Sequence, residues 1–367
     1  MIWIYMARIA RRLSVGLLML AAVSGAWAGG SHGGGGEGGG CSGGGQSFTL
    51  ALPGTVSVAR DLPAGALLTN WANSPVSPSL WSCSGGSGNG GVRAQVSPGF
   101  NTPSGQTYTS GGVTYTVWNT NVDGVGIVVA WQWIYDPSVS CVYAGGWGGW
   151  VNITNSWYGQ ACVGNPIKGQ AGSQMAMALV KTGTVATGGT ISGLVAQSAP
   201  VDGNTLPALA VSYNITPVRI VPMTCTTPDV NVPMGTFMVA DFPSVGSLSP
   251  RPASFNVEFL NCPAGAIVAG TKSGMISTVQ YRIDPTSGTA ATNVAALSGT
   301  TKAGGVGIHL FNSAGAVVPL SNMQNLSQFN GSSGGNYNVP MTARYYRTGT
   351  VTPGPANATM TLTVLYQ

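Results

Sequence analysis

The chain has 367 residues, of which only 6% are charged, and it contains 56 glycines. Its formal net charge is +5, and removing the three arginines of the N-terminal segment described next leaves +2. These values argue against the basic footprint of a protein that binds nucleic acid or an anionic membrane. Abundant Gly, Thr, Ser and Val with little helical periodicity predict an all-β, extracellular chain.

Residues 1–28 have the features of a secretory signal peptide. A short arginine-containing stretch ends at Arg12, an apolar run covers residues 13–23, and Ala26-Trp27-Ala28 is a small-x-small cleavage site. The apolar run is too short to span a bilayer. We therefore predict export and cleavage after residue 28, with a retained membrane anchor as the alternative.

All six cysteines follow this segment: Cys41, Cys83, Cys141, Cys162, Cys225 and Cys262. An even number in an exported chain indicates three disulfides, for which fifteen pairings are possible. We predict the sequential pairing 41–83, 141–162 and 225–262, because each bridge then stays local. The sequence has no Cys-x-x-Cys motif and no phosphate-loop spacing, so we predict no metal site and no cofactor.

Residues 29–47 are rich in Gly and Ser and predict a flexible tail, which Cys41 would pin if it pairs with Cys83. Short β-branched or alternating segments follow, separated by Gly, Pro and Asn: SFTLALPGTVSV, GVTYTVWNT, GIVVAWQWIY, MAMALVKTG and ALAVSYNI. This pattern predicts an elongated β-sandwich over residues 48–222, with an elongated β-barrel as the alternative. Pro217 and Pro222 flank a short extended segment, and we place the start of a second domain, residues 223–367, just after it.

Tryptophan distinguishes the two parts. Apart from two in the predicted signal, all tryptophans precede residue 222: Trp71, Trp81, Trp118, Trp131, Trp133, Trp147, Trp150 and Trp157. Because Trp is enriched at recognition surfaces, the first part is predicted to be the recognition module and the second a scaffold. Trp131 and Trp133 share one face of a predicted strand, which favours the core for both.

The segment between Cys141 and Cys162 is the best local candidate for a binding site. Its aromatic and amide residues, with one upstream acid, are Asp136, Trp147, Trp150, Asn152, Asn155, Trp157 and Tyr158. Aromatic rings stack on the C–H faces of sugars while amides and carboxylates bind the hydroxyl groups. The sequence leaves open whether these aromatics are exposed or fill a core, and a glycan or an apolar protein surface fits them equally well.

Residues 225–367 carry several ordered motifs. Cys225 opens the first strand and Cys262 closes FNVEFLNC; GVGIHL, ARYYRTG and VTPG follow, and the chain ends in the alternating ATMTLTVLYQ with Tyr366 penultimate. This combination resembles the pilin domain of chaperone–usher fimbriae, in particular the C-terminal domain of type 1-like fimbrial tip adhesins.

The resemblance implies an immunoglobulin-like β-sandwich that lacks its seventh strand. The terminal strand would border an apolar groove lined by Met360, Leu362, Val364 and Tyr366, with Gly354 nearby. A periplasmic chaperone would lend a strand first, and the adjacent pilus subunit would replace it at the outer-membrane usher, which is a form of β-strand addition. From the residues alone, an ordinary closing strand of a complete sandwich is the alternative.

A whole domain ahead of a pilin domain is similar to the organisation of two-domain tip adhesins. The resemblance therefore implies export through the periplasm to the tip of a surface fimbrium and attachment to a host glycan or extracellular-matrix receptor. The Cys41–Cys83 spacing is similar to the first disulfide of mannose-binding members. Those members carry Asn-Asp just after the second cysteine where this chain has Ser84-Gly85, so mannose specificity is not predicted.

Two other functions compete with adhesion. A structural adaptor or minor pilus subunit would use its first domain only as a spacer. An enzyme is disfavoured, because His32 and His309 are the only histidines and neither lies near a plausible nucleophile in the sequence. A pair such as Asp123 and Asp136 is a weak basis for glycoside hydrolysis, so we predict no catalytic residue.

Overall fold

The computed structural model describes residues 40–85, 88–135, 146–159, 161–162 and 167–367, together with Ile2–Ile4. For Ile2–Ile4, Tyr135, Gly146–Trp147 and Ala161–Cys162 only the backbone is described. The described chain is almost entirely strand and turn, with two short 3-10 helices at Pro207–Leu209 and Val239–Asp241. Within these residues, no helix has the length and apolar character needed to cross a membrane.

The strands up to residue 223 are β1 Ile2–Ile4, β2 Cys41–Gly43, β3 Ser47–Leu50, β4 Thr55–Ala59, β5 Ala72–Asn73, β6 Ser77–Ser84, β7 Gly90–Val96, β8 Pro103–Ser110, β9 Val113–Asn119, β10 Val125–Tyr135, β11 Gly146–Trp147, β12 Val151–Asn152, β13 Ala161–Cys162, β14 Lys168–Lys181, β15 Gly189–Asp202, β16 Asn204–Thr205 and β17 Val211–Met223. The remaining strands are β18 Asn231–Val232, β19 Ala253–Cys262, β20 Val279–Pro285, β21 Thr289–Ala291, β22 Val294–Ala296, β23 Gly304–Asn312, β24 Gln324–Asn325, β25 Gly335–Thr352 and β26 Ala358–Tyr366. The predicted all-β class is confirmed.

Two sheets share one core in the N-terminal part, residues 40–222. One sheet has the order β2-β6-β14-β10-β9-β8, with β5, β11 and β12 added to it, and the other has the order β13-β7-β15-β17-β3, with β4 and β16 added. Trp81, Trp131 and Tyr213 are among the largest side chains buried between them. The predicted core positions of Trp131 and Trp133 are confirmed, with 0% and 9% of their surfaces exposed.

Strand β14 is buried on both faces. Its residues Met175, Met177 and Leu179 point into the shared core. Ala176, Ala178 and Val180 belong to a second apolar cluster on the opposite face of the same sheet. Apolar material on both sides explains why this strand lacks the polar alternation of a half-exposed one. The outer cluster also positions the aromatic groove described below.

Two further sheets form the C-terminal part, residues 223–367, and β1 (Ile2–Ile4) is added to one of them. Their orders are β18-β1-β26-β20-β24 and β19-β25-β23-β22-β21. They enclose a separate core that includes Phe259, Ile283, Ile308 and Tyr366. The burial of β26 alternates along its whole length, as the sequence pattern predicts.

The junction between the two parts is a continuous strand rather than a loop. Strand β17 runs through both Pro217 and Pro222, and its register with β15 shifts opposite the segment between Ile215 and Val218. A register irregularity is one of the places where a sheet tolerates proline. Met223, at the end of β17, already belongs to the C-terminal core.

Two of the three predicted disulfides are present, Cys41–Cys83 and Cys225–Cys262. The predicted bridge 141–162 lies outside the described side chains. Residues 41–43, expected to be part of a flexible tail, instead form β2 beside β6. The disulfide anchors this strand, and Gly44 lies so close to the Leu209 carbonyl that an added Cβ would be 2.0 Å from its oxygen.

Candidate functional site

The terminal strand β26 presents one fully apolar face to the C-terminal core. The four residues predicted to border a groove are buried there: Met360, Leu362, Val364 and Tyr366 are 0%, 6%, 8% and 2% exposed. Along one of its two edges, β26 pairs with β20 from Met360 to Tyr366. Only the opposite edge of β26 is therefore available to another strand.

That opposite edge faces a slot one strand wide, which we call the terminal-strand slot. The strands on its two sides, β18 and β26, are not paired with each other. Ile2–Ile4 lies between them, parallel to Ala358–Met360 and antiparallel to Asn231–Val232. Three residues thus bridge the slot at the beginning of β26. Further along, β20 is the only described strand that pairs with Leu362, and the slot edge of that residue has no described strand beside it.

Arg60 and Asp61 close the far end of the slot. The Arg60 side chain donates to the Val364 carbonyl at 2.5 Å and lies 5.0 Å from the centre of the Tyr366 ring. Asp61 forms an ion pair with Arg60 at 2.7 Å and accepts a hydrogen bond from Tyr366 N at 3.0 Å. Burial raises the pKa of Tyr366 to about 12, although the Arg60 charge opposes this shift.

A cavity of about 540 Å³ lies where β26 begins. Its lining includes Phe237, Met238, Tyr345 and the segment from Val351 to Asn357. Gly354, predicted from the sequence, belongs to this lining, and a Cβ there would be 2.6 Å from the Ala303 nitrogen. Met238 at the cavity is 75% exposed. The cavity lining ends at Asn357, and the slot begins at the next residue, Ala358.

The N-terminal part has its own groove on the outer face of the nine-stranded sheet, which we call the aromatic groove. It has a volume of about 400 Å³ and is lined by Trp71, Asn73, Ser110, Gly111, Val113, Tyr115, Ala130, Gly149, Trp150 and Ala176. The Trp71 ring lies 5.5 Å from the Tyr115 ring and 6.3 Å from the Tyr108 ring. Burial raises the pKa of Tyr115.

The predicted site residues are divided between the two sheets. Trp150 lines the aromatic groove, and Asn152 lies on β12, which pairs with β10 of the same sheet. The backbone of Tyr158 instead pairs with Ala94 on β7 of the other sheet, through bonds of 2.8 and 2.9 Å. The described residues of the segment therefore do not form one continuous aromatic surface.

The individual surroundings also differ. The Asn152 amide is bound in both directions to Thr116, accepting from its nitrogen at 2.9 Å and donating to its hydroxyl at 3.2 Å. Asn155 and Tyr158 are exposed and Trp157 is half-buried. Trp147 is described only as backbone in β11, and Asp136 lies outside the described residues.

Of the residues that line the aromatic groove, only Trp150 belongs to the predicted site; Asn73, Ser110 and Tyr115 are among those absent from it. The alternation in VTYTVWN places Tyr115 and Val117 on one face of β9, which is a usable sequence signal. Trp71 belongs to the general tryptophan pattern, but nothing local in the sequence connects it with Trp150. Their proximity follows from the pairing of β5 with β14 and of β12 with β10.

Comparison with known proteins identifies the class. Residues 214–367 match a family model described as "Fimbrial protein". A curated relative, the type-1 fimbrial protein A chain of Escherichia coli (strain K12), is 30% identical over 141 residues, which are 38% of this chain and 72% of the relative. The chain belongs to the fimbrial protein family, so it is a subunit of a surface pilus.

Solved structures show more distant likeness. The CupB6 tip adhesin of Pseudomonas aeruginosa is 14% identical, with a TM-score of 0.30 over 88% of this chain and 93% of its own. The receptor-binding domain of the adhesin MrkD1P of Klebsiella pneumoniae is 19% identical, with a TM-score of 0.31 over 52% and 99%. The CsuC–CsuE chaperone–tip subunit complex of Acinetobacter baumannii is 14% identical, with a TM-score of 0.25 over 89% of this chain and 100% of its own.

Proposed function

We propose that this fimbrial subunit is a two-domain tip adhesin whose C-terminal domain is completed by a strand from another protein. The observation that carries the proposal is the terminal-strand slot between β18 and β26, which are not paired with each other. The buried alternation of Met360, Leu362, Val364 and Tyr366 supports it, because an incoming strand would cover the same apolar core.

The segment that bridges the slot, Ile2–Ile4, belongs to the predicted signal peptide. Its removal on export leaves the beginning of β26 without this neighbour, and an uncovered strand edge promotes aggregation. A periplasmic chaperone would first supply the missing strand. At the outer-membrane usher the adjacent pilus subunit would replace it, with the side chains of the new strand entering the cavity beside Gly354.

We assign a different function to each of the two parts, because each has its own hydrophobic core. Residues 223–367 form the pilin domain, and residues 48–222 form the domain that contacts a host glycan or matrix receptor. The aromatic groove supports the second assignment, because it is a concave aromatic surface that faces away from the core of the N-terminal part.

Deletion of residues 361–367 tests completion by a donor strand. The full chain is expected to co-purify with its periplasmic chaperone, and the truncated chain to lose this capture because most of the slot edge is gone. Deletion of residues 29–35, an equal length from the Gly-rich segment, is the matched control and should leave capture unchanged. Co-purification of the chain lacking 361–367 at the full-chain level contradicts the proposal.

Adhesion requires a separate test, since a non-adhesive adaptor would assemble in the same way. Bacteria that display the complete pilus are expected to bind host cells or immobilised matrix saturably, and bacteria lacking only this subunit are expected not to bind. Normal pilus assembly with no difference in binding between the two strains would favour the adaptor.

A further inference from the structure

We propose that the aromatic groove binds a neutral saccharide, a proposal that rests on the adhesive function and specifies its receptor class. The floor of the groove contains Tyr115, Ala130 and Ala176, which are 3%, 3% and 4% exposed. Trp71 and Trp150 are half-buried and bring two large ring systems to the same cavity. Small residues on the floor and aromatic rings around them provide apolar surface for the C–H faces of a sugar ring.

The Tyr115 hydroxyl is the polar group that points to a polar ligand. No described residue forms a hydrogen bond with it, although the side chain is almost completely buried. The enclosed polar atoms without partners among the described residues belong to Trp118 and His309 only. The Tyr115 hydroxyl must therefore reach the open space of the groove, where a ligand hydroxyl can donate to it or accept from it.

Other groups in the lining extend this capacity. The Asn73 amide and the Ser110 hydroxyl supply both donors and acceptors, and the indole nitrogens of Trp71 and Trp150 supply donors. None of these side-chain groups has a hydrogen-bond partner among the described residues. A purely apolar occupant would displace their water and leave them unpaired, which is unfavourable. A ligand carrying several hydroxyl groups satisfies them.

The charge and the size of the groove further restrict the class of ligand that fits it. None of the described residues that line it is charged, so an anionic sugar would lose its hydration without gaining an ion pair. The volume of about 400 Å³ lies at the lower end of the range of about 300–1,000 Å³ that is typical of small-ligand sites. A short neutral glycan therefore fits better than an extended polypeptide.

Two substitutions test the groove while leaving the fold in place. Tyr115→Phe removes only the hydroxyl. Gly149→Phe adds a ring at the edge of the groove, where a Cβ meets no atom within 4 Å and the backbone is not in the left-handed region. The matched controls are Tyr346→Phe, a half-buried tyrosine of the C-terminal part, and Gly99→Phe, a glycine with equally open space outside the lining.

The full mature chain is first applied to an array of neutral, sialylated and sulfated glycans, with immobilised collagen and fibronectin in parallel. We expect saturable binding to neutral glycans. In a titration with the strongest neutral glycan, Tyr115→Phe and Gly149→Phe should each weaken binding at least tenfold, while both controls stay within twofold of the wild type.

Three outcomes overturn the proposal. The chain does not bind neutral glycans, it prefers charged glycans or matrix protein, or both groove variants keep the wild-type affinity. Bacterial attachment separates this failure from failure of the adhesive function. If pili that carry Gly149→Phe still attach cells normally, the groove assignment is wrong and adhesion stands. If wild-type pili do not attach cells at all, the adhesive function itself fails.

Discussion

Asp61 and Tyr366 lie 305 residues apart in the chain and are joined by two hydrogen bonds. Asp61 N donates to the Tyr366 carbonyl at 2.9 Å, and Tyr366 N donates to the Asp61 carboxylate at 3.0 Å. The N-terminal part thus occupies the last backbone groups of the strand edge along which a donor strand would lie. A donor strand can extend along β26 only as far as this contact.

Substitution of Asp61 by alanine tests this contact. The Asp61 side chain is only 11% exposed, and its loss leaves the Tyr366 amide without its acceptor. Such a loss costs about 1–3 kcal/mol of unfolding free energy. Denaturant unfolding measures the change, and hydrogen exchange should show reduced protection of the Tyr366 amide.

Asp284→Asn is the control for this measurement. Asp284 forms an ion pair with Arg282 on β20 of the same sheet, where the two side chains are 29% and 38% exposed. Such pairs contribute about 0–1 kcal/mol, so this variant should stay close to the wild type. Equal destabilisation by both substitutions would contradict a specific role for Asp61.

Lys181 predicts an alkaline gain in stability. Its side chain is 0% exposed, and its ammonium group donates to the carbonyls of Arg60, at 2.9 Å, and Gly183. Burial lowers its pKa from 10.5 to about 8, and the charge of Asp61 only partly offsets this. Between pH 8 and 10.5 the unfolded chain holds more protons at this group than the folded chain, so its contribution to stability rises with pH, by up to about 1.4 kcal/mol per pH unit.

The comparison that isolates this effect is wild type against Lys181→Met. Unfolding free energies are measured from pH 7 to pH 9.5, and tyrosines that begin to ionise in the unfolded chain near the upper limit contribute equally to both proteins. The difference between the two proteins should be constant below about pH 8 and should then shift in favour of the wild type. Parallel profiles across the whole range would show that Lys181 keeps its ordinary pKa.

The sequence predicts the structural features that depend on local pattern. It does not predict which distant residues come together, because strand pairing determines that. The alternation of β26, the core position of Trp131 and the two described disulfides follow from spacing and period. The predicted binding segment between Cys141 and Cys162 has a strong local pattern, but its described strands pair with different sheets: β11 and β12 with β10, and β13 with β7. Trp150 lines the same groove as Trp71, which lies about eighty residues earlier in the chain. The two come together because both lie beside strands of the nine-stranded sheet.

Polar residues are the least reliable sequence signal for a binding site, because strand pairing also determines their hydrogen-bond partners. Asn152 has the chemistry of a sugar ligand, but the neighbouring strand β9 brings Thr116 within hydrogen-bond distance of both ends of its amide. Tyr115 has the pattern of a core residue, but its hydroxyl has no hydrogen-bond partner among the described residues. Only the packed sheet distinguishes a satisfied polar group from an available one.

His309 predicts a loss of stability in acid. Both nitrogens of its ring are buried and have no partner among the described residues. The ring packs 5.1 Å from Phe311 and 5.0 Å from Tyr346, and Arg344 lies opposite it on β25. Burial lowers the pKa of His309 below 6.5. As the pH falls below 6.5, the unfolded chain takes up a proton at this residue before the folded chain does, and stability decreases.

His309→Phe should reduce this acid sensitivity, since an aromatic ring of similar shape keeps the packing and cannot take up a proton. Melting temperatures of wild type and variant are compared at pH 7.5 and pH 5. A smaller drop in the variant is the expected outcome, and His309→Gln serves as a second non-titrating variant. If both variants lose as much as the wild type, the acid loss arises elsewhere in the chain.

Gly354 tests the cavity at the beginning of β26. A Cβ at this position would be 2.6 Å from the Ala303 nitrogen and 2.8 Å from the Lys302 carbonyl carbon, both backbone atoms that cannot simply rotate away. Gly354→Ala is therefore expected to cost about 1–3 kcal/mol through local overpacking and to displace the cavity wall. Gly349→Ala is the control, because its nearest atom would be 3.9 Å away.

Capture by the chaperone, measured by co-purification, should fall for Gly354→Ala and stay at the wild-type level for Gly349→Ala. Because side chains of the donor strand are proposed to enter this cavity, capture should fall more than the loss of stability alone explains. Undiminished capture by a Gly354→Ala chain that is measurably destabilised would show that the cavity does not receive the donor strand.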